Sequence, residues 1–165
     1  MKVVVIGIGL IGGSIALDIK FLHPDASIFG IDNNENHLQE AINLGIVDAG
    51  TTYEDLIHAD FVIVSVPVDI SLTVLPKVLD AIGENTIVFD VGSTKTPICE
   101  VVANHSKRRN FLAAHPIAGT EFSGPSAANR GLFQGKTNII CEVEKTTFKL
   151  QEKAVQLFTS IGMRI

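Results

Sequence analysis

The sequence predicts an α/β domain built on a mostly parallel sheet, doubly wound with helices on both faces. Three observations predict it. Apolar, β-branched runs recur at Val3–Ile6, Ile28–Ile31, Phe61–Val66, Thr86–Phe89 and Phe111–Ala114; each is followed by a stretch of helical period; and the first opens into a glycine-rich turn. Strands that alternate with helices form βαβ units, whose parallel strands are buried on both faces and read as continuous apolar runs. At 165 residues, 46% hydrophobic and 19% charged, the chain buries one core and forms one domain over residues 1–165.

After the first strand, Ile11, Ile15, Ile19 and Leu22 share one helix face. After the second, Asn34 caps a helix that turns Leu38, Ala41 and Ile42 inward and stops at Gly45. A short third strand is expected near Val47–Gly50. Leu72, Leu75, Leu79 and Ile82 continue the pattern after the fourth strand, with Pro76 expected to kink or restart that helix because proline lacks the N–H and clashes with the preceding turn. Thr96 before Pro97 starts the next helix, with Ile98, Val101 and Val102 inward. The stretch from His115 to Lys136 is rich in Gly, Pro, Ser and Asn and long for an idle connection; it reads as a binding or catalytic loop, the alternative being a merely mobile one. A strand over Thr137–Val143 and a helix over Thr147–Ile161 close the domain.

A net charge of -5 argues against a nucleic-acid or polyanion surface, because phosphate neutralisation needs clustered cations. The only basic run, Lys107-Arg108-Arg109, reads as a solvated helix end. Cys99 and Cys141 lie far apart, without the spacing of a zinc site or a disulfide framework, so no metal is expected and the cytoplasm is the expected compartment. The apolar start is too short for a signal segment or a membrane span.

Gly7-Ile8-Gly9-Leu10-Ile11-Gly12 lies between the first strand and the first helix. There Gly7 permits the tight turn, Gly9 lets a pyrophosphate approach the backbone, Gly12 lets helix and sheet pack closely, and the helix N-terminus presents free N–H groups. Asp32 falls twenty residues past Gly12, at the end of the second strand, where a carboxylate accepts hydrogen bonds from ribose hydroxyls; its other use is helix capping. Together these features form the Rossmann-type fingerprint. Asp32 repels a 2′-phosphate, and Asn33 and Asn34 bring no charge to receive one, so the expected cofactor is NAD rather than NADP. Pro67, after the fourth strand, either rests against the cofactor or simply ends its strand.

Asp90-Val91-Gly92-Ser93-Thr94-Lys95 and His115-Pro116-Ile117-Ala118-Gly119-Thr120-Glu121 follow the fifth and sixth strands, which are neighbours in the usual order. Their loops are expected to bring Ser93 and His115 within hydrogen-bond reach. An imidazole with an ordinary pKa of about 6.5 is the natural base for an alcohol proton that leaves as hydride departs, and a hydroxyl such as Ser93 orients ring and substrate. His23, His37, His58 and His105 read as surface or helix-end residues.

The glycine turn, the Val-Gly-Ser-Thr-Lys run at 91–95 and above all the run at 115–121 resemble the prephenate and arogenate dehydrogenases, and the resemblance covers the whole chain as that family's N-terminal domain. It implies that His115 accepts a hydrogen bond from the substrate's ring hydroxyl, that Ser93 holds His115 and substrate, and that Thr120 and Glu121 border the substrate mouth. The implied reaction is NAD-dependent oxidative decarboxylation of prephenate to 4-hydroxyphenylpyruvate in tyrosine biosynthesis. Family members carry a second, helical domain that forms a homodimer and completes the substrate pocket. This chain ends at Gly162–Ile165, in or just after a final strand, which reads as a cut before such a domain. The competing readings are an arogenate dehydrogenase, another two-domain dehydrogenase of the β-hydroxyacid kind, and a non-catalytic NAD-binding module.

Overall fold

Four strands that the apolar runs predict form the middle of the sheet: β1 (Lys2–Ile6), β2 (Ser27–Ile31), β4 (Phe61–Val64) and β5 (Ile87–Asp90). In the computed structural model, which describes all 165 residues, these are joined by β3 (Ala49–Gly50), β6 (Phe111–Pro116) and β7 (Asn138–Cys141) in the order β3-β2-β1-β4-β5-β6-β7. All neighbours are parallel except β6 and β7. The order reverses at β1, which pairs with β2 on one side (Val5 opposite Gly30) and β4 on the other (Val5 opposite Ile63). Beyond the carboxyl ends of the strands, such a reversal opens a crevice.

Alternation along each strand feeds two cores. Val3 and Val5 of β1 face the layer that holds α1 (Leu10–Leu22), α2 (Glu35–Asn43) and α5 (Phe148–Ser160), while Val4 and Ile6 face α3 (Val68–Ala81) and α4 (Thr96–Val101). Asn34 caps α2 as expected, its Oδ1 accepting from the N–H groups of Asn36 and His37, and Gly45 follows the helix at φ +69°.

Three expectations are corrected, and one alternative is set aside. Helix α3 runs without interruption through Pro76: the missing N–H costs one backbone bond, while Leu75, Val78 and Leu79 stay buried against the sheet on both sides of it. Val101, the last residue of α4, is exposed; Cys99 takes the inward position beside Ile98 and Val102. Arg108 is not part of a solvated helix end. A single 3₁₀ turn over Arg108–Asn110 sends it inward, where its guanidinium donates to Phe111 O (2.8 Å) and Glu142 Oε2 (2.9 Å) and lies over the Phe111 ring. The second half of the long loop is anchored rather than mobile. Asn129 N–H donates to Ser14 Oγ (3.0 Å), Gly131 N–H donates to Asp18 Oδ1 (2.8 Å), Arg130 stacks on Phe21, and Phe133 is fully buried.

Near the end of the chain, Arg164 bridges Thr137 in parallel and exchanges backbone bonds with Lys136 and Asn138, which extends the sheet beyond β7. No helix is long and apolar enough to cross a membrane.

Candidate functional site

Two adjoining cavities open at the carboxyl ends of the strands. The larger, about 620 Å³, is lined by Gly7, Gly9, Asp32 and Pro67 together with His37 and Tyr53. Its floor is the β1–α1 turn. Gly7 sits at φ +86°, and a Cβ there would lie 2.7 Å from the Ser65 carbonyl oxygen, so both conformation and space demand glycine. A Cβ on Gly12 would lie 2.5 Å from Gly7 O, which is the close helix-to-strand approach the motif predicts. Gly9 differs, because a Cβ there would meet nothing within 4 Å; its bareness faces open space rather than protein.

Helix α1 begins at this turn with no side-chain cap and no acidic residue in its first turn. The first bond of the helix runs from Gly13 N–H to Gly9 O, which leaves the N–H groups of Leu10, Ile11 and Gly12 for an outside acceptor. Ile8 has a different job. Its side chain is buried against Gly30, and its N–H donates to Asp32 Oδ2 (2.9 Å), while Asn34 N–H donates to Asp32 Oδ1 (2.9 Å). Asp32 thus ties the turn to the end of β2 and keeps lone pairs free at the cavity wall. The capping role open to it in the sequence belongs to Asn34.

The second cavity, about 450 Å³, is lined by Leu10, Ile11, Ser93, His115 and Phe122, and it shares Gly9, Ser65, Val66, Pro67 and Gly124 with the first. Ser93 and His115 are therefore brought to one cleft, as predicted, but no hydrogen bond joins them. The ladder between β5 and β6 ends at Phe89 opposite Leu112; beyond it β6 runs on to Pro116 paired with β7 alone, while β5 ends at Asp90. No side chain binds either ring nitrogen of His115, and its pKa is held below the ordinary value, first by burial and then by the positive charge of Lys95, against an opposing pull from Asp90. The lowered pKa favours the neutral imidazole, the form that can accept a proton. Thr120 and Glu121 line neither cavity; both are exposed in the loop after β6, with Thr120 Oγ1 accepting from Phe122 N–H (3.2 Å).

Three features escaped sequence reasoning. His37 and Tyr53 reach the larger cavity from α2 and from the turn before β4, and Ile70 joins them from α3. The signal for Ile70 was an apolar residue outside the inward row of its helix. Asp90 and Lys95 form a buried ion pair behind His115, and the carboxyl group is pushed up in pKa by burial against the pull of Lys95 and of the Gly92 and Ala114 N–H groups. Lys95, Arg130 and Lys136 are the cations that the sequence places near this region. None of them lines the cleft: Lys95 is paired with Asp90, and Arg130 lies over Phe21.

Residues 15–165 match the family described as prephenate dehydrogenase, nucleotide-binding domain. The chain belongs to that family. A prephenate dehydrogenase of Bacillus subtilis (strain 168) is 35% identical over 155 residues, covering 92% of this chain and 42% of the relative. The crystal structure of a prephenate dehydrogenase from Aquifex aeolicus, in complex with hydroxyphenyl propionate and NAD+, superposes with a TM-score of 0.90 at 29% identity, over 99% of this chain and 58% of that one. An arogenate dehydrogenase from Synechocystis superposes with a TM-score of 0.86 at 26% identity, over 100% of this chain and 58% of that one. The chain thus spans about half the length of these relatives. The larger cavity combines a bare glycine under open space, helix N–H groups without a protein partner and a carboxylate held by two backbone N–H groups.

Proposed function

We propose that this domain binds NAD and supplies the base for oxidative decarboxylation of prephenate to 4-hydroxyphenylpyruvate, a step of tyrosine biosynthesis in the cytoplasm. The observation that carries the reading is the shared wall. Gly9, Ser65 and Pro67 border both the cavity that holds Asp32 and the cleft that holds His115, so a ligand extended from Asp32 across the glycine turn arrives beside the imidazole. Asp32 accepts from the ribose hydroxyls, and the N–H groups of Leu10, Ile11 and Gly12 meet the pyrophosphate. With a carboxylate and two asparagines at this end, NAD titrates more tightly than NADP.

When bound, NAD would supply the acceptor for the hydride that leaves the hydroxyl-bearing ring carbon. His115 accepts a hydrogen bond from that hydroxyl, draws its proton as the hydride leaves, and returns it to the phenolate oxygen of the product. The bond between ring and carboxylate breaks, its electron pair completes the aromatic ring, and carbon dioxide departs. Ser93, on the same cleft, orients the substrate.

Prephenate carries two carboxylates, whose recognition calls for cations of fixed geometry, and no Lys or Arg lines the cleft. Those contacts come from a helical domain, paired in a homodimer, that completes the pocket. Purified residues 1–165 are therefore expected to bind NAD by calorimetry yet turn over prephenate far below the enzyme median of about 10 s⁻¹. The full-length protein is expected to be active. Turnover near the median by the short chain sinks the two-part pocket, and failure of both to bind NAD sinks the proposal.

A further inference from the structure

We infer that the buried Lys95–Asp90 pair is a positioning device that replaces the missing sheet ladder beside His115 and fixes both the place and the protonation of its imidazole. The inference rests on the reading of His115 as the base. Backbone pairing of β5 with β6 stops at Phe89 opposite Leu112, three residues before His115. Beyond that point the sheet opens toward the cleft, and the backbone groups of Ala114 lose the strand that would have satisfied them. Side chains take over. Ala114 N–H donates to Asp90 Oδ1 (3.3 Å), and Lys95 Nζ donates to Ala114 O (2.6 Å), so the peptide groups on both sides of Ala114 are clamped by the two members of one ion pair. The pair is closed by a direct contact from Lys95 Nζ to Asp90 Oδ2, which also accepts from Gly92 N–H (2.9 Å).

Burial makes the arrangement selective. The side chain of Asp90 is 0% exposed and that of Lys95 11%. A buried carboxylate needs a cation and a full set of donors, and Asp90 has Lys95, Gly92 and Ala114. A simple tether for β6 needs only neutral groups; a charge pair also sets the electrostatic field on the next residue. The charged groups that act on His115 are Lys95, from the loop after β5, and Asp90, from β5 itself. Across the sheet its β7 partner is Ile139, which carries no charge. Burial lowers the His115 pKa most; within the pair Lys95 lowers it further and Asp90 raises it, with Lys95 the stronger of the two. The net effect keeps the imidazole unprotonated and able to act as base on the acid side of neutrality.

The test is an NMR titration of the His115 ring in residues 1–165, its resonance assigned by its loss in His115→Asn. Asp90→Asn leaves the Lys95 charge unbalanced, so the midpoint falls below that of the parent. Lys95→Gln removes the positive charge that holds the His115 pKa down, so the midpoint rises. Opposite displacements by two substitutions in one ion pair are the signature of a field, because a purely structural clamp moves both the same way or neither. Should a single substitution prevent folding, the double variant Asp90→Asn/Lys95→Gln buries no lone charge; its midpoint lies above the parent's, and an unchanged midpoint overturns the inference. Lys95→Arg, which keeps the cation, restores the parental value. In the full-length enzyme, Lys95→Gln is expected to lose about tenfold in kcat/KM at pH values below the parental acid limb. If the NMR midpoints move and the acid limb does not, His115 is not the base and the proposed function fails while the pair keeps its role. If the limb follows the His115 midpoint in the parent but neither variant moves it, the pair has no such role.

Discussion

The cavity over the glycine turn and the cleft beside His115 share a wall but are held together differently. The first is shaped by backbone: Gly7 in a left-handed conformation, Gly12 against Gly7 O, and Asp32 gripping the N–H of Ile8. Its lining comes from residues 6–37, Tyr53, the β4–α3 junction with the first half of α3, and Gly124. The second is shaped by side chains from the end of β6 and from the loops after β5 and β6, beyond the point where the ladder between the two strands ends, with a buried ion pair in place of backbone bonds. A site made of backbone tolerates little change in residue type and leaves a motif; a site made of side chains leaves only candidates. The difference teaches which substitutions should damage binding and which should damage chemistry.

The largest effect that separates the two is expected from His115→Asn in the full-length enzyme. Loss of a base that matters mainly in the transition state lowers kcat by roughly 10² to 10⁴ with little change in KM, and NAD affinity stays parental. Because burial and Lys95 hold the His115 pKa down, parental activity persists below the ordinary histidine value of about 6.5 and is lost only as the pH falls through the lowered pKa. An acid limb above 6.5 contradicts this.

Asp32→Ala works on the other cavity. Loss of a charged acceptor is expected to weaken NAD binding by about 1.5 to 3 kcal/mol, read by calorimetry on residues 1–165. Unchanged affinity removes Asp32 from the site.

Within the turn, Gly7 and Gly9 are expected to part company. Gly7→Ala strains a left-handed backbone against Ser65 O and should cost about 1 to 3 kcal/mol in denaturant unfolding. Gly9→Ala meets open space, so its unfolding midpoint should stay near parental while NAD affinity falls, because the methyl group occupies the path of the pyrophosphate. A Gly9→Ala variant that binds NAD normally shows that the cofactor does not approach this backbone. Ser93→Ala is the mildest: with no hydrogen bond to His115, its loss affects the same step as His115→Asn but by a smaller factor in kcat. A larger loss for Ser93 than for His115 reverses the two roles.

The contrast also explains what was legible. The strand runs, the glycine turn and the Asn34 cap are local features, set by residues a few positions apart, and Asp32 follows from the fixed length of one strand-helix-strand unit; the structure places each where the sequence put it. Lys95 and Arg108 were not legible as buried cations, because nothing in a basic residue announces a partner that arrives from elsewhere in the fold: Ala114 O for Lys95, and Glu142 for Arg108, 34 residues away. The loop after β6 was recognised by composition, but its anchoring was not. Its partners are Ser14 and Asp18, on a helix more than a hundred residues earlier. Pro76 misled for a related reason, since local chemistry predicted a break that packing of Leu75, Val78 and Leu79 on the sheet overrode.

The bond from Gly131 N–H to the buried Asp18 carboxylate spans 113 residues of chain, and that separation has a meaning in time. At a synthesis rate of about 5 to 20 residues per second, Gly131 follows Asp18 out of the ribosome by roughly 6 to 23 s. Until it arrives, the acidic group on α1 has no backbone donor, and moving it out of water is opposed by desolvation, the largest influence on its pKa in the finished domain. The nascent chain therefore has its glycine turn, β1 and β2 available long before α1 can settle fully against its last neighbour. The helix that follows the glycine turn is among the first to emerge and among the last to be completed.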